Sequence, residues 1–183
     1  MQTRIAPAVL KVAILALSVA LSACSSLYDL RGQAPTGLSD NERVVIQQAC
    51  TDLSTAYAHY LDTADYEHMP SIFAPDGVWE VLGNHLQGPD AIREYWRGRT
   101  SLWKPNEAWL HIIGNQRIDV VDRDHAKGSA YFSVYKVNTE PGANKLLAPL
   151  VFSKTTDEYV RTQEGWRIKL RRIERVADAG PPN

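Results

Sequence analysis

The sequence is short of cysteine and of net charge. It has 2 Cys among 183 residues, and its 20 Lys and Arg against 21 Asp and Glu leave a formal net charge of −1. A protein that binds nucleic acid through the phosphates needs a clear excess of basic side chains, so we expect no nucleic-acid partner. The apolar share is 44%, which is enough to build a core and argues against a chain that is disordered throughout.

Several catalytic signatures are also missing. The chain has no Gly-x-Ser-x-Gly elbow and no glycine-rich phosphate loop, which argues against a serine hydrolase and a nucleotide enzyme. The 5 His include no His-Glu-x-x-His motif or other tight ligand spacing. His59 and Asp62 share a helix face at a spacing of three residues, and this pair is the weak alternative to our expectation of no metal and no organic cofactor.

Long apolar runs are absent as well. The apolar run at residues 12–21 carries no charge and is well below the ~20 residues that a membrane-spanning helix needs. Arg4 and Lys11 precede it, and Leu-Ser-Ala-Cys closes it at residues 21–24. This order of a basic start, a short apolar segment and small residues predicts a signal peptide over residues 1–23, cut before Cys24. An ordinary secretory signal and a spanning anchor are the alternatives.

The ending at Cys24 resembles the lipobox of bacterial lipoproteins. That resemblance implies a diacylated Cys24 as the new N-terminus and therefore a membrane as partner, because two acyl chains anchor a protein stably. Ser25 in place of aspartate implies sorting to the outer membrane of the cell envelope, facing the periplasm. Residues 24–38 mix Ser, Gly and Pro without a period and are predicted to be a flexible tether.

The first half of the remaining chain has helical patterns. Ser39 and Glu42 form a capping-box signature ahead of an apolar series that includes Cys50, so a helix is predicted over 40–63, with that cysteine buried and unreactive. A second helix is predicted over 66–73, and Pro-Asp-Gly at 75–77 predicts a turn. A strand over 78–82 and a third helix over 88–97 follow.

The second half is rich in β-branched and aromatic residues. Strands are predicted over 109–121, 127–138, 147–162 and 165–176, and the breaks between them suit hairpin connections. The order of helices followed by an antiparallel meander predicts one α+β domain over 39–176, with a flexible tail at 177–183.

Four short motifs resemble a known family. They are Tyr-Leu-Asp-Thr-Ala-Asp-Tyr at 60–66, Phe-Ala-Pro-Asp-Gly at 73–77, His-Ile-Ile-Gly-Asn at 111–115 and Gly-Trp-Arg-Ile at 165–168. Their order and spacing resemble the SnoaL-like branch of the NTF2-like superfamily, and within it the scytalone dehydratases and bile-acid dehydratases. The resemblance implies a cone in which N-terminal helices pack on a curved, mostly antiparallel sheet around a pocket. It also implies pairing through the sheets, as a homodimer or homotrimer.

The same resemblance implies a catalytic pair. In scytalone dehydratase an aspartate at the end of the first helix orients a histidine at the start of a central strand, and Asp62 and His111 match these two. Leu61 stands where the family has a tyrosine, although Tyr57 and Tyr60 are nearby. Tyr135 or Lys136 stands at the position of the family's second histidine, and Ser153 matches a serine that contacts substrate.

The chemistry of an Asp–His pair can be argued without the family. The carboxylate holds one ring nitrogen and leaves the other free to remove a proton next to a carbonyl. The developing enolate then needs a hydrogen-bond donor, which a tyrosine hydroxyl supplies. The candidate donors are Tyr57, Tyr60, Tyr131 and Tyr135. Asn115 is expected to orient the ligand, and Trp79, Trp96, Trp103 and Trp109 are expected to bound a pocket for a small hydrophobic ligand.

Other interpretations stay open at this point. Asp62 is also explained as a residue that ends the helix, and His111 as a core histidine with its hydrogen bonds satisfied. Three functions therefore remain: a cofactor-independent lyase (dehydratase) or isomerase, a non-catalytic ligand-binding or assembly lipoprotein, and a partner-binding subunit like the cone domains of ring-hydroxylating dioxygenases.

Overall fold

The computed structural model describes residues 37–143 and 149–178. All of them belong to one compact unit, Pro35–Asn183. The signal peptide, Cys24 and nearly all of the tether lie outside the described residues, as does the tail beyond residue 178. The predictions made for those segments therefore stay predictions.

The first helix, α1, spans Asp40–Asp62. It begins with the predicted capping box: the Glu42 amide donates to Ser39 Oγ at 3.3 Å, and the Ser39 amide donates to the Glu42 carboxylate at 2.8 Å. One face of the helix is buried, and Cys50 on that face is fully buried. Burial, with the Asp157 charge nearby, raises the pKa of the Cys50 thiol to about 12, which keeps the thiol protonated and unreactive.

Six strands form one mixed sheet. They are β1 (Phe73–Val81), β2 (Asn84–Gln87), β3 (Glu107–Val120), β4 (His125–Asn138), β5 (Val151–Thr162) and β6 (Gly165–Asp178). Their order is β2-β1-β6-β5-β4-β3, and every neighbouring pair is antiparallel except β1 with β6. The α+β prediction and the antiparallel meander are confirmed. The strand that carries His111, β3, lies at the edge of the sheet and not at its centre, where we expected it.

The segment between α1 and β1 differs from the prediction. The helix expected over 66–73 is reduced to a 3₁₀ helix, Met69–Ile72, because the chain already pairs with β6 at Phe73. The predicted turn at Pro-Asp-Gly lies inside β1, where the register with β6 shifts between Phe73 and Val78. A Cβ on Gly77 would lie 2.8 Å from the carbonyl oxygen of Ile168, so this bulge requires glycine.

Strand β2 was not predicted. Leu82 and Gly83 both have positive φ and connect β1 to β2 as a two-residue hairpin loop. A loop of that kind is usually predicted from Asn-Gly or Asp-Gly, and the leucine at the first position here does not fit that pattern. The hairpin leaves Leu82 half-exposed at the rim of the cavity described below.

The second helix, α2, spans Pro89–Thr100 and packs on β1 and β2. It starts at the predicted place, with Gly88 as N-cap and Pro89 in the first turn, and it runs three residues beyond the predicted end. Ile92 and Trp96 are its buried residues. None of the helices in the described part of the chain is long and apolar enough to cross a membrane.

Candidate active site

A cavity of about 190 Å³ lies between the two helices and the inner face of the sheet. Its wall is mostly aromatic and aliphatic. The aromatic rings that line it, including the imidazole of His111, belong to Tyr57, Trp79, Tyr95, Trp96, Trp103, Trp109, His111 and Phe132. All four tryptophans expected at a pocket therefore line this one. Trp79, Trp96, Trp103 and Trp109 form a chain of ring contacts with centroids 6.0–6.2 Å apart.

The structure brings Asp62 and His111 together, with His111 on the wall of this cavity and Asp62 behind it. Asp62 Oδ1 lies 2.7 Å from His111 Nδ1 and accepts the backbone N–H of His111 at 2.9 Å. Because a carboxylate only accepts hydrogen bonds, Nδ1 carries the ring proton. No described residue hydrogen-bonds His111 Nε2, and the side chain is 8% exposed. The pair therefore has the geometry of an oriented general base.

Two features of the backbone explain why this contact forms. Asp62 is the last residue of α1, and α1 packs against β3 at the edge of the sheet. In an edge strand, the backbone N–H groups that point away from the neighbouring strand need other hydrogen-bond acceptors. The Asp62 carboxylate is that acceptor for the N–H of His111. Thr63, and not Asp62, caps the helix, and an acid gains nothing from the negative end of the helix dipole. The helix-ending interpretation of Asp62 is therefore not supported.

Two more predicted site residues line the cavity beside the pair. Tyr57 is 2% exposed and Ser153 is 2% exposed, so both hydroxyls lie inside the protein. Burial raises the pKa of Tyr57 above its ordinary value, an effect larger than the opposite effect of the neighbouring Arg171 charge. A tyrosine kept neutral in this way can donate its proton in a hydrogen bond.

Tyr131 and Tyr135 are not at the cavity, which corrects their prediction as ligand-binding residues. On β4, Phe132 and Val134 line the cavity, so the alternating tyrosines belong to the opposite face of the sheet. Tyr131 is 41% exposed and stacks on Phe152 with ring centroids 5.5 Å apart. Lys136 shares the inward face, but it binds Glu107 at 2.6 Å.

Tyr60 and Asn115 are also outside the cavity. Tyr60 stacks on His68 with centroids 6.4 Å apart, on a side of α1 that does not line the cavity. Asn115 is exposed and has a positive φ, at the point where β3 and β4 shift register between Gly114 and Arg117. Asn115 is therefore not among the residues that line the cavity, which corrects its prediction as a ligand-orienting residue.

Three lining residues with polar side chains were not predicted from the sequence. Tyr95 and Arg99 project from the last turns of α2, and Arg175 projects from β6. The signal for Arg99 was present, since it lies three and four residues after Trp96 and Tyr95 and therefore shares their helix face. No described carboxylate lines the cavity.

A buried polar network fixes α1 against the sheet. Arg171 donates to both oxygens of Asp157 at 2.8 Å and to Ser54 of α1 at 2.8 Å, and Tyr159 donates to Asp157 at 2.9 Å. The Arg171 guanidinium also lies 4.3 Å from the ring centroid of Tyr57. The network therefore holds in place the helix that ends in Asp62.

Among residues 37–143 and 149–178, no cluster of three His, Cys, Asp or Glu side chains is arranged to hold a metal ion. His59 and Asp62, the weak candidates from their spacing, have different partners. The His59 ring lies against Tyr60, and Asp62 binds His111.

Comparison with known proteins places this domain in a family. The SnoaL-like domain family matches residues 42–172, and the chain belongs to that family. No curated protein matches the chain.

Three similar solved structures come from Novosphingobium aromaticivorans. One, provisionally assigned as a scytalone dehydratase, is 17% identical, with a TM-score of 0.64 over 79% of this chain and 94% of that one. An NTF2-like protein with a cystatin-like fold is 23% identical, with a TM-score of 0.61 over 80% and 90%. A third, provisionally assigned as an aromatic ring hydroxylase, is 22% identical, with a TM-score of 0.61 over 76% and 92%. At these identities the likeness shows the NTF2-like fold alone.

Proposed function

We propose that this chain is a cofactor-independent lyase or isomerase that removes a proton next to the carbonyl group of a small hydrophobic compound. The observation that carries the proposal is the 2.7 Å contact between Asp62 and His111 Nδ1, with His111 on the wall of an aromatic cavity. A histidine held this way offers Nε2 to the ligand, and the carboxylate stabilises the imidazolium that forms.

The proposed reaction needs few groups. His111 Nε2 takes the α-proton, and the electron pair of the broken C–H bond forms an enolate. The Tyr57 hydroxyl and the Trp109 indole N–H, which has no partner among the described residues, are the candidate donors to the enolate oxygen. An isomerase returns the proton to another carbon. A dehydratase instead expels a β-hydroxyl group, which leaves as water after taking the proton from His111.

Solvent exchange tests this proposal without knowledge of the natural substrate. The purified full chain is incubated in D₂O with cyclohexanone, and with 3-hydroxycyclohexanone, whose dehydration gives a conjugated enone that absorbs in the ultraviolet. We expect deuterium uptake at the α-carbon, or enone formation, above the rate in buffer with equimolar free histidine. Rates equal to that control for both compounds, with binding demonstrated by tryptophan fluorescence, would contradict the enzyme proposal.

That negative result would favour the second candidate, a non-catalytic ligand-binding lipoprotein. The observation behind this candidate is the change in the residues around the pair. Leu61 takes the place of a tyrosine, and the inward-facing Lys136 is bound to Glu107 where the family resemblance implies a second histidine. A protein that only binds its ligand would keep the cavity and its tryptophans while losing those helpers.

A lipid anchor and self-association are further parts of the proposal. Lipidation of Cys24 rests on the sequence at residues 12–24, and the mass of the mature N-terminal peptide, with or without a diacylglycerol group, decides it. The partner prediction has one supporting feature, because exposed apolar side chains share the outer face of the sheet. They are Leu110 (43% exposed), Ile112 (56%), Tyr131 (41%) and Phe152 (38%). The homodimer or homotrimer stays a prediction.

A further inference from the structure

The mouth of the cavity, where its wall is exposed to solvent, carries two arginines. Arg99 and Arg175 both line it, and none of the described lining residues is an acid. An uncharged hydrophobic ligand gives no reason for two guanidinium groups at the entrance of an otherwise apolar cavity. A ligand with an anionic group on an apolar body explains the two guanidinium groups, because it matches both the aromatic wall and the basic rim.

Arg99 stands apart from the other arginines of its helix. Arg93 binds Asp90 and Glu67, and Arg97 binds Glu94 and Glu67. The side chain of Arg99 makes no hydrogen bond or ion pair with any described residue, although it is one helical turn from Trp96 and lines the same cavity. Acidic side chains therefore neutralise two of the three arginines of α2 and leave the third available to a ligand.

Arg175 reaches the same mouth from the sheet. It faces Ser153 in the register of β5 with β6, and its described acidic partner is Asp178, at 3.2 Å on the same strand. Its side chain is 50% exposed, so the contact with Asp178 is a surface pair of small energy. A ligand carboxylate can share this guanidinium or displace that contact.

We propose that the ligand of this cavity is an apolar carboxylic acid whose carboxylate binds Arg99, with Arg175 beside it, while its body enters between the tryptophans. A guanidinium matches a carboxylate with two parallel hydrogen bonds, which is why arginine suits this task better than lysine. This inference rests on the proposed function, which puts the substrate in this cavity, and it narrows the substrate class to carbonyl compounds that also carry a carboxylate.

Equilibrium binding tests the inference with two matched probes. Cyclohexanecarboxylate and cyclohexanecarboxamide have the same body and differ in charge, and neither absorbs where tryptophan does. Four of the 5 Trp line the cavity, so the fluorescence of the full chain in a non-ionic detergent reports occupancy. At low salt we expect the acid to bind about tenfold more tightly than the amide, with the preference falling as salt screens the charges.

Variants of Arg99 test whether this side chain causes the preference for the acid over the amide. In Arg99→Met we expect the acid to bind no more tightly than the amide, and in Arg99→Lys we expect part of the preference to remain. Arg161→Met is the matched control. Arg161 is exposed, its side chain has no ion pair with any described residue, and it does not line the cavity, so this variant should bind both probes like the parent protein.

Two results would overturn the inference: equal binding of acid and amide by the parent protein, including binding of neither, or an acid preference that Arg99→Met retains. Failure of the proposed function is visible separately, because it concerns exchange and not affinity. If the protein prefers the acid but catalyses no exchange, the inference stands and the enzyme proposal fails. If it exchanges α-protons but binds acid and amide equally, the enzyme proposal stands and the inference fails.

Discussion

Replacing His111 by asparagine should lower the rate of α-proton exchange by about 10²–10⁴-fold, the range that a positioned general base contributes. Asparagine keeps a polar group that can donate to Asp62, and its backbone N–H still binds the carboxylate as His111 does at 2.9 Å. The variant therefore loses the base while keeping the contact between α1 and β3. Deuterium uptake by cyclohexanone in D₂O, followed by mass spectrometry, measures the rate.

His85→Asn is the control for this experiment. His85 also pairs with a carboxylate, since its Nδ1 lies 3.3 Å from Glu80, but it is exposed and outside the cavity. We expect this variant to exchange at the parent rate. An unchanged rate in His111→Asn would remove His111 from catalysis, and a large loss of thermal stability in that variant would mark His111 as a structural residue.

Replacing Arg171 by methionine should lower the free energy of unfolding by about 3–5 kcal/mol, because it leaves the Asp157 carboxylate buried without its cationic partner. Both side chains of this pair are 1% exposed. Burial by itself lowers the pKa of Arg171, but the charge and hydrogen bonds of Asp157 outweigh burial and raise the pKa above its ordinary value, so the arginine is charged at neutral pH. Chemical denaturation followed by tryptophan fluorescence measures the loss.

Two further variants separate the buried pair from a general effect of losing an arginine. Arg172→Met removes the neighbouring arginine, whose partner Glu80 lies at the surface, and should change stability little. Arg171→Met combined with Asp157→Leu removes both buried charges and should recover part of the lost stability. Equal destabilisation by Arg171→Met and Arg172→Met would contradict the role given to the buried network.

The parts of the fold with strong local signals could be predicted from the sequence. The capping box at Ser39 and Glu42 gave the first residue of α1, and the β-branched segments gave the four strands of the meander to within a few residues at the ends that the structure describes. The failures occurred where one local signal fits two structures. Pro-Asp-Gly is compatible both with a turn and with the bulge that the structure has inside β1. The hairpin loop at Leu82 and Gly83 lacks the Asn-Gly or Asp-Gly sequence from which such a loop is predicted.

The inner face of each strand was harder to predict. Alternation divides β4 into a small or apolar set that includes Phe132 and Val134 and a set of Lys, Ser and Tyr, and the prediction placed Tyr131 and Tyr135 at the cavity against that pattern. On β3 the more apolar Leu110 and Ile112 face outward while His111 faces the cavity. Tertiary packing decides between two such faces, so the position of His111 came from the family resemblance and not from its pattern.

The state of the His111 ring is the most direct test of the central claim, which is that Asp62 holds this histidine as a base with its free nitrogen toward the cavity. Nitrogen-15 NMR of the histidine-labelled protein at alkaline pH distinguishes protonated from unprotonated ring nitrogens. The contact of 2.7 Å predicts a proton on Nδ1 and none on Nε2 for His111. A His111 ring with its proton on Nε2 would contradict the claim, because no lone pair would then be left to accept a proton from a ligand in the cavity.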